Sequence, residues 1–230
     1  MPNEPSEDSH STIFQAVAFD MDGLMFNTED LYDDVGDTLL RRHGQRFTRQ
    51  LKLEMMGRPG QEALSIMKQR CNLPQSVEEL REEIKQIFSN VLPGRIEMMP
   101  GLAALLDFLE QHKIPKCVAT SSHRQFASEA LGSFDLEPRF EFVLTADDVK
   151  NGKPDPEVYL TAAQRIGIPT EQMLVLEDSV IGSRAAVASG AFTIAVPTTH
   201  SVDGDFSHVA HVAESLLDPV IQKMLSRGRV

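Results

Sequence analysis

Between residues 116 and 196 the chain repeats one pattern that leaves few folds open. Short apolar runs at Lys116-Cys117-Val118-Ala119-Thr120, Phe140-Glu141-Phe142-Val143-Leu144, Met173-Leu174-Val175-Leu176 and Ala191-Phe192-Thr193-Ile194-Ala195-Val196 alternate with helical stretches near 124–133, 156–167 and 180–189. Apolar runs of that length read as buried strands. Strands joined through helices pair in parallel, with right-handed crossovers. One more such run, Ile13-Phe14-Gln15-Ala16-Val17-Ala18-Phe19, stops near Gly23 and stands apart from the others. What separates it reads as helices throughout. Leu31, Val35, Leu39 and Leu40 fall near helical spacing over 28–43, and 60–71 is a second helix after the turn residues Gly57, Pro59 and Gly60. Leu80, Ile84, Ile87, Phe88 and Val91 form one stripe of a third, opened by the capping box Ser76…Glu79. A further stripe, Leu102, Leu105, Leu106 and Leu109, resumes the core. The fold class expected is α/β, a doubly wound parallel-sheet core with an α-helical domain inserted after the first strand. The boundaries expected are a disordered tail over 1–12, core over 13–28, the helical insert over 29–95 and core again over 96–230.

Bulk properties narrow the partners. At 230 residues, 41% hydrophobic and 24% charged, the chain has the makeup of a globular protein. Its formal net charge of −12 argues against a nucleic-acid backbone or an anionic membrane as partner. It does not exclude a small anionic substrate, because a local cation overrides the global field. No apolar stretch approaches the ~20 residues that span a bilayer. The first dozen residues have no apolar segment of the signal-peptide kind. Cys71 and Cys117 make no metal or redox spacing, which points to a reducing, cytoplasmic setting. A monomer is the expected state.

In open parallel sheets ligands bind beyond the carboxyl ends of the strands, so the residues that follow each strand carry the functional argument. Asp20 and Asp22 follow the first. In extended chain they point to the same side, and two crowded carboxylates repel unless a proton or cation lies between them. A strand tip of that kind seats Mg²⁺, a hard cation with a preference for oxygen. Thr120, Ser121 and Ser122 follow the second strand. Lys153, in Gly152-Lys153-Pro154-Asp155-Pro156, lies beyond the third, and Glu177-Asp178-Ser179 end the fourth. Each has an ordinary alternative: Thr120 or Ser121 capping a helix, Asp178 or Ser179 capping the helix at 180, Lys153 solvated in a loop. Together at one sheet edge they make a site for Mg²⁺ and a phosphoryl group. The acids hold the cation, and the hydroxyls, amides and lysine hold anionic oxygens.

These four segments, Asp20-Met-Asp22-Gly-Leu, Ala119-Thr120-Ser121-Ser122, Gly152-Lys153-Pro-Asp-Pro156 and Glu177-Asp178-Ser179, resemble in order the four motifs of the haloacid dehalogenase (HAD) superfamily. The helical insert is similar to the cap of the branch that contains β-phosphoglucomutase and pseudouridine-5′-phosphatase. The resemblance implies a Mg²⁺-dependent phosphatase acting on a small phosphorylated metabolite. Asp20 would be the nucleophile that forms an aspartyl-phosphate, and Asp22 the general acid and base. Asp20, Asp22 through its backbone carbonyl, and Asp178 would bind the metal, with Glu177 either bound to it directly or one contact removed. Thr120, Ser121 and Lys153 would hold the phosphoryl oxygens. Glu29, Tyr32 and Arg58 in the cap and Ser122 in the core would read the substrate. The alternative within the branch is a sugar phosphomutase. Against it, the position three beyond Gly57, where the mutase pattern places an Arg, is Gly60, and Tyr32 stands where that pattern has a His.

Overall fold

A computed structural model describes residues 13–55, 60–91 and 94–226. The chain divides into two compact units, one made of the chain up to Phe26 together with Met98 onward, the other of Asn27–Glu97.

The first unit is built on a parallel sheet of six strands among the described residues: β1 (Ala16–Phe19), β2 (Lys116–Ala119), β3 (Val143–Leu144), β4 (Met173–Glu177), β5 (Phe192–Ala195) and β6 (His211–Val212), in the spatial order β3-β2-β1-β4-β5-β6. β1 therefore lies at the point where the winding reverses, the place where open α/β sheets bind ligands. The register makes that edge chemically coherent. Phe19 pairs with Val118 on one side and with Leu176 on the other, so Asp20, Ala119 and Glu177 come next in line on three adjacent strands.

Helices α5 (Leu102–Gln111), α6 (Arg124–Gly132), α7 (Glu157–Ile166), α8 (Val180–Ala188) and α9 (Pro219–Leu225) accompany the sheet. α7 and α8 bring Val158, Tyr159, Ala162, Ala163, Ala185 and Ala186 onto Ala18, Cys117, Ala119 and Val175, all of them buried. The small side chains of α8 allow its close approach. Ser179 caps α8 by accepting from the Gly182 amide at 3.0 Å, which satisfies one of the helix's orphan donors.

The second unit contains α1 (Thr28–Arg42), α2 (Arg49–Met55), α3 (Gly60–Arg70) and α4 (Val77–Val91). Leu31, Val35, Leu39 and Leu40 of α1 and Leu80, Ile87 and Phe88 of α4 are the buried stripes. The capping box forms as the sequence predicts: the Glu79 amide donates to Ser76 Oγ and the Ser76 amide to Glu79 Oε2. Between the units the chain crosses twice at neighbouring points. Phe26 and Met98 make an antiparallel bridge within the first unit. Within the second, the Asn27 amide donates to the Glu97 carbonyl, and Asn27 Oδ1 accepts from the Glu97 amide at 2.8 Å.

Several expectations need correction. The run at 140–144 forms only the two-residue β3, although the Glu141 amide and the Phe142 carbonyl already bond to Lys116 and Val118 of β2. The strand predicted over 13–19 begins at Ala16. α2, α9 and β6 are additions to the elements that the sequence pattern predicts. The tail over 1–12, Gly57, Arg58 and Pro59 lie outside the described residues.

Candidate active site

Asp20, Lys153 and the residues around them belong to the sheet-containing unit. Asp20 is buried at the tip of β1, with its amide bonded to the Leu176 carbonyl of β4. Lys153 reaches it from the loop that leads into α7. Its ammonium donates to Asp20 Oδ1 at 2.6 Å, to Glu177 Oε1 at 2.7 Å and to the Ala119 carbonyl at 2.9 Å. Lys153 and Glu177 are buried, with side chains 5% and 0% exposed, so these charges meet almost without solvent screening.

The electrostatics follow from that burial. Desolvation alone would lower the Lys153 ammonium, but Asp20 and Glu177 outweigh it and hold the group charged, well above its ordinary range. Burial pushes the Asp20 carboxyl up, the carboxylates of Glu177 and Asp22 push the same way, and Lys153 opposes them. One ammonium thus serves several acids. Oxygen atoms of Asp20, Glu177 and Asp178, all three residues buried, lie within 4.8 Å of one another. A donor set of hard oxygens carrying more negative charge than its one lysine neutralises fits a hard divalent cation.

Asp22 stands apart from the lysine. Its Oδ2 accepts from Thr120 Oγ1 at 3.1 Å and from Ser122 Oγ at 2.7 Å. Thr120 Oγ1 in turn accepts from the Ser122 amide at 3.0 Å, which knits the turn after β2 around the Asp22 carboxylate. The hydroxyl of Ser122 thus bonds Asp22 and its amide Thr120, and Ser121 is exposed.

The structure brings Asp20, Asp22, Thr120, Ser122, Lys153, Glu177 and Asp178 to one sheet edge. In the helical unit, Glu29 is half-buried in α1, and Tyr32 packs edge-on against Phe88 with ring centroids 4.7 Å apart. Two contributors are not expected from the sequence. Tyr159, fully buried in α7, donates its hydroxyl to Glu177 Oε1 at 2.8 Å. Gly182, in α8, leaves the space that the Glu177 carboxylate fills: a Cβ there would lie 1.7 Å from Glu177 Oε1. The available signal is Tyr159's place six residues after Lys153, in the first turn of the helix that the lysine loop opens.

Comparison with known proteins places this arrangement in a class. The family model described as haloacid dehalogenase-like hydrolase matches residues 17–196. The chain belongs to that family, as the four motifs lead one to expect. The relatives it matches are phosphatases, and the chain is a phosphoric monoester hydrolase. One is the phosphorylated carbohydrates phosphatase of Thermotoga maritima, 36% identical over 180 residues, covering 76% of this chain and 82% of the relative. Another, from Drosophila melanogaster, is named "Probable pseudouridine-5'-phosphatase" and is 33% identical over 217 residues, covering 87% of this chain and 89% of the relative. Among solved structures, β-phosphoglucomutase from Clostridium difficile superposes with a TM-score of 0.78 over 93% of this chain and 98% of that one, at 20% identity, a likeness of fold.

Proposed function

We propose that the protein is a Mg²⁺-dependent phosphatase that hydrolyses a small phosphomonoester, of the sugar phosphate or nucleoside monophosphate type, through an aspartyl-phosphate on Asp20. The observation that carries this reading is the buried Asp20–Lys153–Glu177 contact beside Asp178 and within one sheet edge of Asp22. Asp20 and Asp178, with the backbone carbonyl of Asp22, are the residues to hold Mg²⁺. When bound, the ion neutralises charge on Asp20 and on the phosphoryl oxygens, so that two anions can approach.

The remaining chemistry falls to side chains. Lys153 fixes the Asp20 carboxylate through Oδ1 and keeps a positive charge against it. A carboxylate oxygen of Asp20 attacks phosphorus, and the bond from phosphorus to the leaving oxygen breaks. Asp22, entering this step protonated, gives its proton to that oxygen. In the second step Asp22 takes a proton from water, the water oxygen attacks phosphorus, and inorganic phosphate leaves with Asp20 restored. Thr120 and Ser122 hold Asp22 in place between the two steps. The helical unit acts as the cap, and selectivity among phosphomonoesters is assigned to it, with Glu29, Tyr32 and Arg58 as the first positions to vary. Cys71 and Cys117 are free and buried, which suits a cytoplasmic enzyme. No helix among the described residues is long and apolar enough to cross a membrane.

The test is phosphate release from pseudouridine 5′-phosphate, phosphoglycolate, several sugar phosphates and β-glucose 1-phosphate, with Mg²⁺ and with EDTA. Release that requires Mg²⁺ and favours one compound is the expected result. Release that persists in EDTA refutes the metal dependence. Conversion of β-glucose 1-phosphate to glucose 6-phosphate without release would replace the phosphatase with a mutase.

A further inference from the structure

The three clustered carboxylates are not equivalent as metal ligands. An ionised carboxylate offers about four acceptor positions, two on each oxygen. Glu177 has all of them engaged by the protein. Oε1 accepts from Lys153 Nζ at 2.7 Å and from the Tyr159 hydroxyl at 2.8 Å. Oε2 accepts from the Ser179 amide at 3.1 Å and from Ser179 Oγ at 3.0 Å. The side chain is fully buried, and the missing Cβ of Gly182 is the room it occupies. No acceptor position is left over for a cation.

We infer that Tyr159 is a positioning residue of this centre: its phenol takes an acceptor position on Glu177 Oε1, which locks Glu177 against Lys153 and keeps Glu177 off the metal. The ring of Tyr159 belongs to the buried core cluster that also holds Ala119, Ala162, Val175 and Ala186. Its hydroxyl is a separate matter. A buried hydroxyl left unbonded is costly, and this one is spent on the carboxylate that orients Lys153. Burial also holds the phenol well above its usual range, so it stays a donor. The sequence of contacts is Tyr159 to Glu177, Glu177 to Lys153, and Lys153 to Asp20, each link under 3 Å. Asp20 and Asp178 are then the carboxylates left to face the metal, and Glu177 serves the lysine.

The inference rests on the metal-dependent phosphatase reading, and Tyr159→Phe separates the two. The substitution keeps the ring and removes only the hydroxyl, so the fold should be kept and melting should fall by no more than a few degrees, the cost of one buried hydrogen bond. Mg²⁺ affinity is measured by calorimetry without substrate, and kcat and KM on whichever phosphomonoester the parent prefers. Groups that orient a metal centre from outside its ligand shell change activity by about 10–100-fold when removed. The expected result is a kcat lowered by about 10-fold with KM unchanged, together with Mg²⁺ bound several-fold more tightly, because Glu177 regains an acceptor position. Ser179→Gly frees a position on Oε2 while keeping a tolerated helix cap, and should also tighten Mg²⁺. A purely structural role would weaken Mg²⁺ along with kcat, and that outcome overturns the inference. So does a Tyr159→Phe protein equal to an active parent in all three measurements, which leaves the phosphatase reading intact. A parent that binds no Mg²⁺ overturns the metal-dependent reading and the inference with it. A parent that binds Mg²⁺ and releases no phosphate sinks the phosphatase alone, and the Mg²⁺ comparison still decides the role of Tyr159.

Discussion

Gly182→Ala sets two physical rules against each other, and the structure says which wins. In a helix interior, replacing Gly by Ala ordinarily stabilises by about 1 kcal/mol. Gly182 is the third residue of α8, in its first turn, so at most that gain is available. The new Cβ, however, would sit 1.7 Å from Glu177 Oε1 and 2.1 Å from its Cδ. To restore even a 3.0 Å contact the carboxylate must retreat by about 1.3 Å, which takes its bonds to Lys153 and Tyr159 out of hydrogen-bond range. Breaking a buried ion pair from one side costs about 3–5 kcal/mol, and both side chains here are at most 5% exposed, so screening does not soften it. Lys153 keeps Asp20, which favours the lower end of that range. After the helix gain is subtracted, Gly182→Ala should lose about 2 kcal/mol. Urea unfolding reads this directly. With a slope of about 2 kcal/mol per molar, the midpoint should fall by about 1 M. Turnover should fall with it, because the residue that aligns Lys153 has moved. A midpoint equal to or above the parent's would refute the reasoning, since it would mean that Glu177 does not occupy the space over Gly182.

Asp20→Asn should abolish phosphate release while circular dichroism and melting stay near those of the parent; measurable turnover in that folded variant would remove the covalent mechanism. Ser122→Ala deletes the 2.7 Å bond that holds Asp22, and a hydrogen bond contributes about 1 kcal/mol, so kcat should drop about 5-fold. Unchanged kcat in that variant would mean that Ser122 does not position Asp22. The Glu110 carboxyl is held down to about 2 by hydrogen bonds from Arg139 and Lys116. A carboxyl lower in the folded state than in the unfolded chain adds stability above its usual 4.5, and that stability is lost as pH falls toward about 2. Glu110 is 43% exposed, so solvent screens the effect and it is modest. Urea midpoints of the parent and Arg139→Ala should differ at neutral pH and converge as pH falls from 4.5 toward about 2; a gap independent of pH would rule out this origin.

How much of this is legible in the sequence depends on how local each signal is. β1, β2 and β4 carry long apolar runs, and the residues after them carry the chemistry. The sheet edge with Asp20, Asp22, Thr120, Lys153, Glu177 and Asp178 is therefore written in the order of residues along the chain. β6 is two residues of a strand whose Val212 is half-exposed, too short and too polar in setting to leave a pattern. α9 begins at Pro219 under an Asp218 cap, a start signal with no long stripe behind it to make a helix evident. The role of Tyr159 leaves only a faint trace, its place six residues after Lys153. An aromatic in the first turn of an amphipathic helix looks like core, and its ring is core. Only the three-dimensional position of Glu177 gives its hydroxyl a task. The crowding of Gly182 is of the same kind, a property of two residues that sequence spacing does not relate.

The neighbouring crossings at Phe26–Met98 and Asn27–Glu97 have a consequence for how such a chain can change over time. An insertion whose two ends are bonded side by side costs the sheet only a little more loop-closure entropy than a short connection. Lengthening it adds only slowly to that cost. The residues between can therefore be rebuilt, shortened or exchanged without shifting the register of β1 against β2 and β4. A change in the segment hung from that stem therefore leaves the strand-tip residues where they are.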